Sequence, residues 1–186
     1  VMPIYTLKAL GASEVLMTNA AGGLNPEFAE GDLMIAEDYI NFMGTGPLEG
    51  ANDDAVGSRF PDMIAPYDQD AERSFLTLAR EHSIRMHRGV FCGVRGPQLE
   101  TRAEYRMLRS WGCDAVGMST VPETIAAAHA GIRVTAIACI TDLCFPEALH
   151  PVDIPKILAI AKTAGPKFQT LIKAYFEGKN NGTENL

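Results

Sequence analysis

The sequence predicts a single α/β domain built around a mostly parallel β-sheet. Apolar runs of strand length alternate along the chain with amphipathic stretches of helical periodicity, a pattern typical of βαβ units. The 186 residues are 47% hydrophobic and 21% charged, a balance that favours a globular chain with one core over a disordered or membrane-inserted one. Ligands of such sheets bind at the carboxyl ends of the strands, so a site is expected there.

The first elements alternate as this fold class requires. Residues 3–10 show helical apolar spacing and end at Gly11, because glycine tolerates the left-handed conformation found after helix C termini. The apolar strand of residues 14–19 is followed by the small residues 20–23, through which backbone N–H groups can approach a ligand closely. A second strand is predicted for residues 32–41.

A long loop separates this second strand from the next helix. Residues 42–66 are rich in Gly, Pro, Asn and Asp and lack periodicity, and loops of such length are often functional. An amphipathic helix is predicted for residues 68–82 and a strand for residues 87–94. This strand leads into the polar loop of residues 95–100.

The alternation continues in the second half of the chain. Thr101, followed three residues later by Glu104, predicts a capping box at the start of a helix that ends near Trp111. A short strand, an Ala-rich helix and a strongly apolar strand follow over residues 114–118, 121–130 and 133–142.

The last predicted element is a helix over residues 152–176, which Gly165-Pro166 is expected to kink or split. The polar residues 178–186 are predicted to form a disordered tail. The folded domain is therefore predicted to span residues 1–177.

Charge and cysteine usage argue against several classes of partner. Sixteen Lys and Arg against 23 Asp and Glu give a net charge of -7, and no basic run is dense enough to indicate nucleic-acid binding. The four cysteines have no CxxC spacing, which indicates reduced thiols. Together with an opening segment unlike a signal peptide, this predicts a cytoplasmic location without membrane attachment.

Common catalytic motifs do not fit this sequence either. The four histidines are scattered without HExxH spacing, so no metal site is predicted. Gly22-Gly23 matches neither GxGxxG nor a Walker loop, and Ser119 does not lie in the GxSxG motif of a hydrolase.

The remaining candidates are polar and small residues at predicted strand ends. They lie in residues 18–23, in residues 96–100, at Met118-Ser119 and at Thr141-Asp142. Any one of them alone could be a turn, a helix cap or a solvated acid. As a set at one sheet edge they offer backbone amides, hydroxyls and two carboxylates, which can bind a polar heterocycle and an anion.

Three of these segments, TNAAGG (18–23), GPQLET (96–101) and GMSTVPE (117–123), resemble the trimeric low-molecular-mass purine nucleoside phosphorylases in order and spacing. The resemblance implies one α/β domain with a twisted mixed sheet flanked by helices, assembled as a homotrimer. It also implies a phosphate-dependent, cofactor-free cleavage of purine nucleosides to free base and ribose 1-phosphate.

The resemblance assigns a role to each candidate residue. Ala20 and Ser119 correspond to the phosphate-binding positions, and Glu100 to the carboxylate that binds N1–H of a 6-oxopurine. Phe60 resembles an aromatic side chain that covers the ribose of a neighbouring subunit. The positions implied for purine and ribose binding are Ala21, Gly22, Leu99, Glu100, Val116, Gly117, Met118, Thr141, Asp142 and Cys144, although the family usually has Phe where this chain has Leu99.

Asp142 leaves the substrate open. The family's vertebrate-like members have Asn at this position, whose amide can both donate and accept, whereas an ionised Asp142 only accepts and favours a 6-amino group. A buried, protonated Asp142 could instead donate to N7. With Glu100 and Asp142 as the catalytic pair, inosine and guanosine are the expected substrates, and adenosine or methylthioadenosine is the alternative.

The resemblance also implies that this chain corresponds to the C-terminal two thirds of the family's domain, without the first strands of its sheet. In the family the preceding segment supplies a Gly-rich phosphate loop, an Arg, a His and a ribose-contacting Tyr. Two interpretations stay open: an active phosphorylase represented by part of its chain, or a non-catalytic remnant that only binds purines. His150 or Asp153 could contact the ribose 5′-hydroxyl, or be a surface residue and a helix cap.

Overall fold

The computed structural model describes residues 1–183, which form five helices and five strands. In chain order these are α1 (Met2–Ala9), β1 (Glu14–Gly23), β2 (Leu33–Phe42), α2 (Gln69–Glu81), β3 (Met86–Val94), α3 (Arg102–Ser110), β4 (Ala115–Gly117), α4 (Val121–His129), β5 (Arg133–Leu143) and α5 (Ile154–Thr183). Every predicted helix and strand is present, and residues 43–66 form the long loop without helix or strand.

The strands form one mixed sheet that closes on itself in the order β1-β4-β3-β2-β5. The β1/β5, β2/β3 and β3/β4 pairs are parallel, whereas β1/β4 and β2/β5 are antiparallel. The α/β class with a mixed sheet is therefore confirmed. The alternation of elements alone suggested a more parallel sheet, because it does not reveal the antiparallel pairs that close the barrel.

Strand β1 is longer than predicted and includes the small residues expected to form a loop. Gly22 and Gly23 pair with β4 on one side and with β5 on the other, so their backbone groups remain part of the sheet. The β1/β5 register shifts between Ala21 and Gly22, where β5 contains the extra residue Thr141. Such a bulge changes the direction of the neighbouring side chains, here those of Thr141 and Asp142.

Helix starts agree with their sequence signals. The Asp68 carboxylate accepts from the N–H groups of Asp70 and Ala71 at 2.9 and 3.0 Å and caps α2. Thr101 and Glu104 form the predicted capping box of α3. These caps satisfy N–H groups that have no partner inside the helix.

Helix α5 is continuous across Gly165-Pro166 rather than split, because tertiary packing holds both sides of the proline. Ala164 and Leu171 are buried, and the Tyr175 ring stacks on Phe75 of α2 with 4.4 Å between ring centroids. The helix continues seven residues beyond its predicted end at residue 176. Residues 178–183 of the predicted tail are thus helical, and residues 184–186 lie outside the described part of the chain.

Three buried clusters stabilise the domain. One packs α1 and α4 on the sheet, a second packs α2 and α5 on β2 and β5, and the third joins α3 to β3 and β4. The third contains Cys92, Cys113 and Cys144, and all four cysteines of the chain are buried and free. None of the helices described combines the length and apolarity of a membrane span.

Candidate active site

A cleft of about 320 Å³ opens at the carboxyl ends of β1, β4 and β5, beside the loop between β3 and α3. The residues predicted to bind purine, ribose or phosphate line it, except Phe60, His150 and Asp153. Those that line it are Ala20, Ala21, Gly22, Leu99, Glu100, Val116, Gly117, Met118, Ser119, Thr141, Asp142 and Cys144. Residues from four separate segments are thus brought together where the fold class predicts a ligand site.

Gly22 is closely packed against Cys144, Asp142 and Val116 in this cleft. A Cβ at this position would lie 2.5 Å from Cys144 Sγ and 3.5 Å from both Asp142 Oδ2 and Val116 Cγ1. Any side chain at residue 22 would therefore displace the groups around Asp142. The small residues of β1 allow its backbone to lie close to the Asp142 carboxylate, which a larger side chain would prevent.

Asp142 is half-buried, and each of its carboxylate oxygens has a donor from the protein. The Thr141 hydroxyl donates to Oδ1 at 2.9 Å, and the Cys144 thiol donates to Oδ2 at 3.2 Å. The Cys144 backbone N–H donates to the Gly23 carbonyl at 2.8 Å, which ties this segment to the end of β1. The orientation of Asp142 is therefore fixed from the protein side.

Tyr105, which the sequence reasoning did not select, lines the cleft together with Cys144 and the half-buried Glu100. Its side chain is buried. Burial raises the pKa of Tyr105, and Cys144 and Glu100 raise it further. Burial likewise raises the pKa of Cys144, with the Asp142 charge as the next cause. Both groups thus keep their protons at neutral pH and can act as donors.

A sequence signal for Tyr105 does exist. Glu100 precedes the Thr101 cap, so the first inward-facing position of α3 falls directly beside it. Tyr105 and Leu108 are the buried residues of that helix, and their spacing is also that of an ordinary core stripe. Ile154 and Ile157 of α5 line the cleft as well and were not predicted.

At the opposite end of the cleft, Ala20 and Ser119 are exposed. The Ser119 hydroxyl lies 3.3 Å from Thr120 Oγ1, and Thr120 has a positive φ of 75°. The Asn19 side-chain amide donates to Thr120 Oγ1 at 2.6 Å and supports this strained residue. Asn19, itself in β1, therefore fixes the turn that carries Ser119.

This end of the cleft contains little charge. In the part of the chain that the structure describes, its lining includes no Arg, Lys or His side chain. An anion there would be bound by backbone N–H groups and the Ser119 hydroxyl alone. The dipoles of both kinds of group can point their positive ends at an anion. Within the same residues, no His, Cys, Asp and Glu cluster is suited to a metal ion.

A second cleft of about 330 Å³ adjoins the first at Glu100 and Asp142. His150, Asp153 and Lys156 line it, and Lys156 forms an ion pair with Glu30 at 2.6 Å. The Asp153 carboxylate accepts from the Lys156 backbone N–H at 3.0 Å and caps α5. Its side chain thus has the capping role that the sequence left open.

Leu99 and Met118 form the exposed rim of the first cleft, with 45% and 40% of their surfaces accessible. Phe60 lies away from both clefts in the long loop and is 85% exposed, with only the Arg59 guanidinium beside its ring at 5.5 Å. Ile64 in the same loop is 88% exposed. This loop therefore presents a large apolar surface to its surroundings.

Comparison with known proteins agrees with the geometry. Purine nucleoside phosphorylase 1 of Bacillus subtilis (strain 168) is 46% identical over 172 residues, which cover 92% of this chain and 64% of that protein. Purine nucleoside phosphorylase of Mus musculus is 38% identical over 182 residues, covering 94% of this chain and 63% of that protein. The chain thus spans slightly less than two thirds of these relatives.

Solved structures give the same result. Schistosoma purine nucleoside phosphorylase in complex with hypoxanthine superposes with a TM-score of 0.90 at 35% identity and covers 95% of this chain and 65% of its own. Structures of the Schistosoma mansoni protein with inosine and with adenosine superpose equally well, at 35% identity, with 94–95% of this chain and 64–66% of theirs covered. The family model of the phosphorylase superfamily matches residues 1–177. The chain therefore belongs to the phosphorylase superfamily.

Proposed function

We propose that this protein is a purine nucleoside phosphorylase that cleaves inosine, guanosine and their deoxy forms with inorganic phosphate. The products are the free purine and ribose 1-phosphate or its deoxy form, as in purine salvage. The single observation that supports this most is the convergence of Glu100, Asp142, Ala20 and Ser119 on one cleft. The similarity to purine nucleoside phosphorylases at 38 to 46% identity supports the same reaction.

At the purine end, Glu100 accepts a hydrogen bond from N1–H of the base. As the bond between C1′ and N9 breaks, its electron pair passes to the purine, and the ribose becomes cationic at C1′. Glu100 and Asp142 then bind the N–H groups of the leaving base. Leu99, Val116 and Met118 pack along the base and ribose.

At the other end, a phosphate oxygen attacks C1′ and forms the new C–O bond. The Ala20 N–H and the Ser119 hydroxyl bind and orient this phosphate, so that the nucleophile is already aligned when the glycosidic bond lengthens. Phosphate is a co-substrate in this proposal, and no metal or organic cofactor takes part.

We infer further that the protein acts in the cytoplasm as a homotrimer. The exposed Phe60 and Ile64 support an interface along the long loop, since large apolar surfaces of this kind are typical of protein contacts. In the trimer, Phe60 covers the ribose of the neighbouring subunit and completes that subunit's site.

A 6-aminopurine nucleoside, adenosine or methylthioadenosine, is the second candidate substrate. It is favoured by the Asp142 contacts, because Thr141 and Cys144 both donate to a carboxylate that can then only accept from the base. A non-catalytic purine-binding role is the third candidate. The lack of cationic side chains at the phosphate end, within the residues described, favours it.

Phosphorolysis of inosine and adenosine by this 186-residue chain, with and without phosphate, tests the proposal, together with the intact mass of the sample. We expect phosphate-dependent release of hypoxanthine that exceeds release of adenine. Faster release of adenine would support the second candidate. Purine binding without any turnover would support the third, and absence of both binding and turnover would contradict all three.

A further inference from the structure

Cys144 contacts the Asp142 carboxylate and has no role in the reaction as proposed above. Cys144 Sγ lies 3.2 Å from Asp142 Oδ2. The Cys144 side chain is buried, at 2% exposure, so bulk water does not replace this contact. Cys144 therefore orients one of the two carboxylates of the cleft from the protein side.

We propose that Cys144 is a positioning residue that determines base selectivity through Asp142. This inference rests on the proposed purine site. The thiol supplies a hydrogen-bond donor from the protein side, and the carboxylate thereby keeps its other lone pairs directed at the base.

The direction of this contact follows from charge. A carboxylate only accepts, so the proton shared by Cys144 and Asp142 belongs to the sulfur. Asp142 receives a second donor, the Thr141 hydroxyl, at its other oxygen at 2.9 Å. Gly22 leaves room for the thiol in this arrangement, since a Cβ there would lie 2.5 Å from Sγ.

The two carboxylates favour different bases. Hypoxanthine offers its N1–H to Glu100, whereas adenine has an acceptor at N1 and offers its 6-amino group to Asp142. A less well oriented Asp142 therefore weakens binding of adenine more than binding of hypoxanthine. A less well oriented Glu100 has the opposite effect. A general loss of structure would weaken both bases alike.

The test is equilibrium binding of hypoxanthine and of adenine to the full chain, measured by calorimetry on matched variants. We expect Cys144→Ala to lower the affinity for adenine relative to hypoxanthine about fivefold, the effect of one lost hydrogen bond. Cys144→Ser keeps a donor and should return the ratio to within about twofold of the starting value.

Cys139→Ala is the matched control. Cys139 lies in β5 and is buried like Cys144, but it packs in the cluster of α2 and α5 and does not line the cleft. Its replacement should leave the ratio unchanged. Equal weakening of both bases in Cys144→Ala, or an unchanged ratio in that variant, would overturn the inference while purine binding by the unaltered chain upholds the purine site. Binding of neither base by the unaltered chain would overturn the purine site and the inference with it.

Discussion

At the proposed purine end of the cleft, Asp142 is held by the neighbouring donors Thr141 and Cys144, whereas at the proposed phosphate end Ala20 and Ser119 lie exposed, and no cationic side chain among the described residues lines the cleft. The contacts of Asp142 are local in the chain, because its donors are one and two residues away. The turn that carries Ser119 depends instead on a distant segment, because Asn19 of β1 donates to the strained Thr120. The described residues therefore offer more of the groups that suit a base than of those that suit an anion.

The physical reason lies in the charge of the two ligands. A neutral purine needs a few well-placed acceptors in an apolar slot, and Glu100 and Asp142 are the acceptors proposed for it. A phosphate dianion needs several donors or a positive charge to replace its hydration. If the two ends bind their ligands independently, a substitution at one end should leave ligand binding at the other end unchanged.

Glu100→Gln should have the largest effect. It replaces an ionised acceptor with an amide, and we expect kcat/KM for inosine to fall about a hundredfold, as for a lost hydrogen bond to a charged group. The KM for phosphate should change little, because Glu100 lies at the other end. Glu147→Gln is the control, since Glu147 is exposed and pairs only with Arg109 at 3.7 Å among the described contacts. A parallel rise in phosphate KM would contradict the separation of the two ends.

Gly22→Ala should disturb the purine end through packing. The added methyl group would overlap Cys144 Sγ, and we expect the free energy of unfolding to fall by about 1–3 kcal/mol, the usual effect of overpacking. Chemical denaturation measures this change. Gly46→Ala is the control, because a Cβ there meets no atom within 4 Å. Equal stability of the two variants would contradict the close packing around Asp142.

Ser119→Ala should affect the phosphate end alone. Loss of one hydroxyl donor should raise the KM for phosphate about tenfold and leave the affinity for hypoxanthine unchanged. Asn19→Ala should reproduce the same pattern, because it removes the hydrogen bond at 2.6 Å that fixes the Ser119 turn through Thr120. If Asn19→Ala alters hypoxanthine binding instead, Asn19 acts on the purine end and the comparison fails.

Phe60→Ala should have the smallest effect on the isolated subunit. Phe60 is 85% exposed, so its removal should change the free energy of unfolding by no more than about 0.5 kcal/mol. If Phe60 lies at a subunit interface, sedimentation velocity should show a larger fraction of monomer in the variant. An unaltered assembly and unaltered inosine KM would remove Phe60 from the proposed site.

Local sequence patterns were sufficient for the elements and for the cap of α3. The pair Thr101 and Glu104 predicted the start of this helix because a cap depends on neighbours within one turn. Local patterns also indicated the cleft segments 18–23, 96–100, Met118-Ser119 and Thr141-Asp142. Val116 and Cys144 were assigned through the family resemblance alone.

The tertiary structure alone decided three features. The antiparallel pairs that close the sheet, and the register shift opposite Thr141, depend on strands far apart in the chain. Helix α5 continues past Pro166 because buried contacts on both sides of the proline outweigh its local preference. Tyr105 has the spacing of a core residue, and only the packing of α3 beside the cleft brings it next to Glu100 and Cys144. Sequence determines what each segment can form, whereas contacts between distant segments determine which side chains meet.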